Sequence, residues 1–103
     1  MDTLGTDIDG AVASTVFETT RSTKIWLHVY ADTTFSNIKL QYSLDGSGGT
    51  YLDFYPDGTQ ATWTSQFTKL FDLPGGFHWR LIGDASTDGA NYYIDGHHYR
   101  LIT

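Results

Sequence analysis

Asp7, Asp9 and Gly10 follow one another as at the start of a calcium-binding loop, and Glu18 stands twelfth counting from Asp7. Such a loop supplies oxygens at alternate positions and closes with a Glu at its last. Val12, Ala13 and Thr15 take most of the ligand places, and no helical pattern flanks the segment. It reads as an acidic arm, and no metal is assigned to it. Four histidines raise a second possibility, a zinc site. Zinc takes three or four protein ligands. His97 and His98 are adjacent, so in a strand they point to opposite faces, while His28 and His78 fall on separate strands. No metal is assigned here either.

Hydrolytic chemistry needs paired carboxylates, or a nucleophile beside a base. The chain has one glutamate, Glu18, and nearly every aspartate sits in a turn beside Gly, Pro or Thr. There is no Gly-x-Ser-x-Gly elbow and no Gly-rich phosphate loop opening a helix. The expectation is a non-enzyme without a cofactor. The surplus lies in the aromatics, three Trp, seven Tyr and six Phe. Tyr51, Tyr55, Trp63, Tyr92 and Tyr93 lie at or near turns, where such side chains stack on sugar rings or anchor a protein interface.

The elements that must carry these groups are short strands. Five Asp-Gly steps, at 9–10, 45–46, 57–58, 88–89 and 95–96, punctuate runs of β-branched and aromatic residues, and Asp-Gly favours tight turns because Gly tolerates positive φ. Residues 24–31 (KIWLHVYA) are the clearest strand. Ile25, Leu27 and Val29 fall on one face and Trp26, His28 and Tyr30 on the other. Both faces are bulky, which places the strand centrally, with a second layer or a partner over its outer side. Residues 38–43 alternate apolar and polar and pair with 50–55 as a hairpin. In 77–82, Phe77, Trp79 and Leu81 alternate with His78 and Arg80, inward and outward respectively. Further strands are read at 14–20, 61–64 and 67–73, and a last hairpin joins 91–94 to 98–102 across Asp95-Gly96. Residues 1–13 read as a flexible N-terminal arm before one domain, 14–103. The fold class is all-β: an antiparallel β-sandwich, jelly-roll or Ig-like, of seven to eight short strands.

Charge and composition narrow the partners. A net charge of −6 with six Lys and Arg opposes nucleic acid, whose phosphates need a basic footprint, and an anionic membrane surface. The chain has no cysteine, so disulfides and thiolate zinc sites are excluded, in keeping with a reducing compartment. The opening residues carry no basic segment followed by an apolar core, so the expected product is a cytoplasmic chain without a secretory signal.

Residues 39–51 (KLQYSLDGSGGTY) resemble a hairpin of small tailed-bacteriophage virion proteins: an alternating strand, Ser-x-Asp-Gly-Gly, then Thr and an aromatic. Residues 71–82 (FDLPGGFHWRLI) resemble their later segment, in which a Leu-Pro turn feeds a strand with an Arg among apolar residues. The same hairpin is similar to the Asp-box turn of sialidase-like propellers, although Thr50 comes one residue late, Tyr51 replaces Trp and the length excludes a propeller. The phage resemblance implies a capsid decoration (cement) protein that binds the major capsid protein or another virion component on the outside of the head. It also implies an oligomer, trimers being common, made in the host cytoplasm. A carbohydrate-binding module and a tail or baseplate adaptor are the alternatives.

Overall fold

The computed structural model describes residues 1–8, 13–31, 37–64, 66–83 and 90–102. Ten strands run in chain order: β1 (Asp2–Ile8), β2 (Val16–Thr19), β3 (Thr23–Ala31), β4 (Ile38–Ser43), β5 (Leu52–Asp53), β6 (Thr62–Trp63), β7 (Phe67–Leu73), β8 (His78–Gly83), β9 (Ala90–Gly96) and β10 (Tyr99–Ile102). Among the described residues there is no helix. One sheet has the order β1-β9-β3-β7; the other has β10-β2-β8-β4-β5, with β6 also pairing with β4. The ladders are antiparallel.

The pairs nest. β4 returns through β5 and β6, and outside that hairpin β3 meets β7, β2 meets β8 and β1 meets β9. One long antiparallel hairpin folded over on itself into two sheets is a jelly roll, and β10 adds a strand beside β2. The sandwich expected from the alternation is therefore present, in its jelly-roll form.

The alternation also sets the core. From the first sheet Leu4, Ile25, Leu27, Val29, Phe71, Leu73, Tyr92 and Ile94 point inward; from the second, Phe17, Ile38, Leu40, Trp79 and Leu81 do so, and all are buried. Trp79 stacks on Phe17 at 6.5 Å and takes Phe54 edge-on at 4.9 Å. Its indole N–H donates to the Thr19 hydroxyl (3.0 Å), which donates to the Pro74 carbonyl (2.7 Å). Thr19 also holds the 74–76 turn through its backbone, accepting from Gly76 N–H at 2.7 Å and donating to the Phe77 carbonyl at 3.1 Å. Gly75 is required there, because a Cβ would fall onto the backbone of Arg21.

The Ser-x-Asp-Gly turn is built by its own side chains. One oxygen of Asp45 accepts from the Ser43 hydroxyl (2.7 Å) and the Thr50 N–H (3.1 Å), while Gly46 adopts φ +104°. The Ser43 bond holds the Asp45 carboxyl below its ordinary range, assisted by backbone donors. A depressed carboxylate stabilises above its unfolded pKa, so this turn loosens only as pH falls below the usual carboxylate range.

Two expectations are corrected. Asp2–Ile8, expected within a flexible arm, pairs with β9 and buries Leu4. Its polar composition hid a single deep anchor and two register irregularities. The expected hairpin across Asp95-Gly96 is a corner: β9 lies in the first sheet between β1 and β3, whereas β10 lies in the second beside β2. Gly96 at φ +150° and His98 at φ +59° carry the chain between layers. Thr20 N–H and hydroxyl both donate to the His98 carbonyl, at 2.8 and 3.0 Å. A turn dipeptide signals reversal, and it does not say whether the chain pairs with itself afterwards.

Two phenols, Tyr92 buried and Tyr99 partly buried, have measurable consequences. The Tyr92 side chain is fully buried and its hydroxyl has no partner among the described residues. Tyr92→Phe removes an unsatisfied polar atom at constant shape, and is expected to raise stability by about 1 kcal/mol in urea unfolding. Burial pushes the Tyr92 phenol up to about 12. Tyr99 is pushed higher still by burial and by its 2.6 Å bond to Asp2. Unfolded tyrosines ionise near pH ~10. Above that pH the folded chain holds more protons than the unfolded one, so stability falls as pH rises through about 12. Alkaline absorbance titration is expected to show two late tyrosines that ionise together with unfolding.

Candidate binding surface

β3 is an interior strand with neighbours on both sides, yet its outward face carries large side chains that stay partly exposed. Trp26 remains 42% exposed, Tyr30 51% and, on adjoining β7, Leu70 39%. The registers arrange this face in rows. Asp95, Trp26 and Leu70 form one; Tyr93, His28 and Thr68 the next; Asn91 and Tyr30 the third. The Trp26 and His28 rings stack at 6.3 Å and 27°. His28 Nδ1 meets the Thr68 hydroxyl at 3.2 Å, and its buried Nε2 has no partner among the described residues. The result is a face on which aromatic and aliphatic side chains stand among polar ones, with Asp95, Lys24 and Asp72 toward one end. Among the described residues it is the outward-facing group of large apolar side chains on an interior strand. Such surfaces mark contacts with partners.

The five candidate aromatics occupy different places. Tyr93 alone joins this face, opposite His28 and Thr3. Tyr92 lies in the core and offers nothing to a partner. Trp63 is half-buried, stacked on Phe67 at 3.9 Å and edge-on to Phe71 at 5.6 Å, where it seals the side of the sandwich between β6 and β7. Tyr51 lies on the outer face of the second sheet beneath Arg80, with its hydroxyl donating to the Ser47 carbonyl at 2.8 Å. Tyr55, 54% exposed, borders a shallow groove of about 430 Å³ shared with Tyr42, Leu44, Phe54, Pro74 and Phe77. The five do not form one site. Trp26, Tyr30 and Leu70 were missed as site residues, although the bulk on both faces of 24–31 was their signal.

Ser43, His78 and Glu18 sit at one level on β4, β8 and β2. The Ser43 hydroxyl, however, is buried and bonded to Asp45 and the Gly46 carbonyl (2.9 Å). His78 Nε2 lies 3.8 Å from Glu18, and Glu18 is held more closely by Arg100 at 2.8 Å. A nucleophile needs a base within hydrogen-bond reach, and this serine is bonded within its own turn instead. Among the described residues no three His, Cys, Asp or Glu side chains converge as a metal site would require. His28 and His78 belong to different sheets, Asp9 to Val12 fall outside the described residues, and His97 and His98 lie in the corner before β10. What this surface offers is partly exposed aromatic and aliphatic side chains, which can stack on or bury apolar groups. Comparison with protein-family models, with curated proteins and with solved structures gave no match.

Proposed function

We propose that this protein is a non-catalytic virion structural protein, a capsid decoration protein that binds the outside of a phage head through the outer face of its four-stranded sheet. The observation that carries the reading is the partly exposed row of large side chains on β3 and β7, with Trp26, Tyr30 and Leu70 between 39% and 51% exposed. Large rigid aromatics at the centre of a flat face are the residues that dominate protein interfaces. A jelly roll is a common capsid-protein architecture, but folds host many functions, so the weight rests on the face. The capsid lattice repeats its subunits, so modest contacts, multiplied by the protein's own oligomerisation, become firm attachment. Neither a cofactor nor a reaction enters this role. Co-sedimentation of the purified protein with empty expanded shells of its phage tests it. Saturable binding at micromolar concentration is expected; its absence removes the proposal, and binding to tails alone supports the adaptor role instead.

A carbohydrate-binding module is the second reading, favoured by one feature. Trp26 and Tyr30 share a face four residues apart on one strand, a separation of about 13 Å at strand rise, along which a glycan chain can lie. Retention on a glycan array that is lost in Trp26→Ala selects this reading; a silent array with shell binding intact discards it.

A further inference from the structure

The opposite outer face, on the second sheet, carries a different arrangement. Its charged groups are matched with one exception. Arg100 holds Glu18 through both Nε (2.9 Å) and a terminal nitrogen (2.8 Å). Lys39 faces Asp53 at 3.7 Å. Arg80 has no carboxylate partner among the described residues. Its Nε donates to Gln41 Oε1 at 2.9 Å, and its guanidinium lies over the Tyr51 ring at 4.1 Å.

Those two contacts are themselves fixed. Gln41 donates through Nε2 to Asp53 Oδ1 at 2.9 Å, so its amide oxygen must turn toward Arg80. Gln60 donates to the other oxygen of Asp53 at 3.0 Å. Tyr51 is tied to Ser47. The guanidinium is thus held at one edge and one face. Its two terminal nitrogens, the fork that binds planar oxyanions in two parallel hydrogen bonds, have no partner among the described residues. An arginine that is merely solvated needs no such bracing. Long side chains lose rotamer freedom when fixed, and here four other side chains do the fixing.

We infer that Arg80 is a preorganised carboxylate-recognition site, positioned by Gln41 and Tyr51, which receives an acidic side chain of a protein partner. A single guanidinium fork matches one carboxylate. A polyphosphate needs several cations together, and the chain has only six Lys and Arg against twelve Asp and Glu, so a single protein-borne carboxylate is the occupant. The site lies on the sheet opposite the aromatic row and does not depend on what covers that row.

The test is an NMR titration of the full chain with sodium acetate, at constant ionic strength, following the Arg80 Nε–Hε resonance and the Tyr51 ring protons. A saturable shift is expected at about tens of millimolar, as suits one small ion with few contacts. Arg80→Lys keeps the charge and loses the fork, and is expected to weaken binding at least about tenfold. Gln41→Ala leaves Arg80 in place and unbraced, and is expected to weaken it severalfold. Methyl phosphate in a parallel titration separates the two oxyanions. The inference is overturned by a shift that never saturates, by an Arg80→Lys variant that binds acetate as tightly as the parent, or by methyl phosphate binding more tightly than acetate.

Discussion

Replacing Trp26 and Tyr30 together with alanine is expected to abolish shell binding at micromolar concentration while leaving the fold in place. Each side chain is roughly half exposed in the free protein, so truncation removes little from the core, and the loss of folding stability is expected to stay within about 1 kcal/mol. The same two groups are the largest apolar surfaces on the face. Central aromatic anchors cost about 2 kcal/mol or more on truncation, which is about thirtyfold in affinity for one and at least about a hundredfold for the pair. Leu70→Ala, directly opposite Trp26 in the ladder, should give a smaller loss of the same sign. Co-sedimentation and urea melts on the same preparations separate binding from folding. Unchanged binding in the double variant would place the interface elsewhere.

Trp79→Ala is expected to be the most damaging single change to the fold. The indole is 1% exposed and contacts Phe17, Tyr42, Phe54 and Phe77. Its removal leaves a cavity lined by rings that cannot collapse together, at a cost of about 3–5 kcal/mol. It also strips Thr19 of a donor where Thr19 fastens the 74–76 turn to β2. A domain of this size has about 5–15 kcal/mol in total, so the melting temperature should fall by about 15 °C or more. Trp79→Phe keeps most of the volume and should cost about half as much. A loss below about 1 kcal/mol for the alanine variant would contradict the placement of this residue at the centre of the sandwich.

Much of the fold was legible because strands with one buried face write their pattern into the sequence. In 77–82 the alternation points the apolar members inward, and Trp79 and Leu81 are buried. The pattern of residues 38–55 predicts a hairpin, and Gln41 pairs with Asp53 and Tyr42 with Leu52. The ends of the chain were harder. β1 buries Leu4 and otherwise carries polar or small residues over Asp2–Gly5, so its composition resembled a tail. β9 and β10 flank an Asp-Gly step, and local sequence does not record which sheet the second strand joins.

The candidate site was legible in part. Tyr92 and Tyr93 are neighbours, so one must point inward. The inward one could have been found from parity, since Ala90, Tyr92 and Ile94 form the apolar set and Asn91, Tyr93 and Asp95 the other. The bulk on both faces of β3 was visible, but whether a second layer of the same chain covers its outer side is a matter of topology. The bracing of Arg80 by Gln41 and Tyr51 joins residues on β8, on β4 and beyond it, contacts that no local pattern encodes.

Hydroxyl-radical footprinting of the protein, free and bound to expanded phage shells, tests the central claim most directly. The outer aromatic face is expected to become protected, with oxidation of Trp26 and Tyr30 suppressed on the shells. Oxidation of both residues at the same rate in the free and bound states would contradict the account.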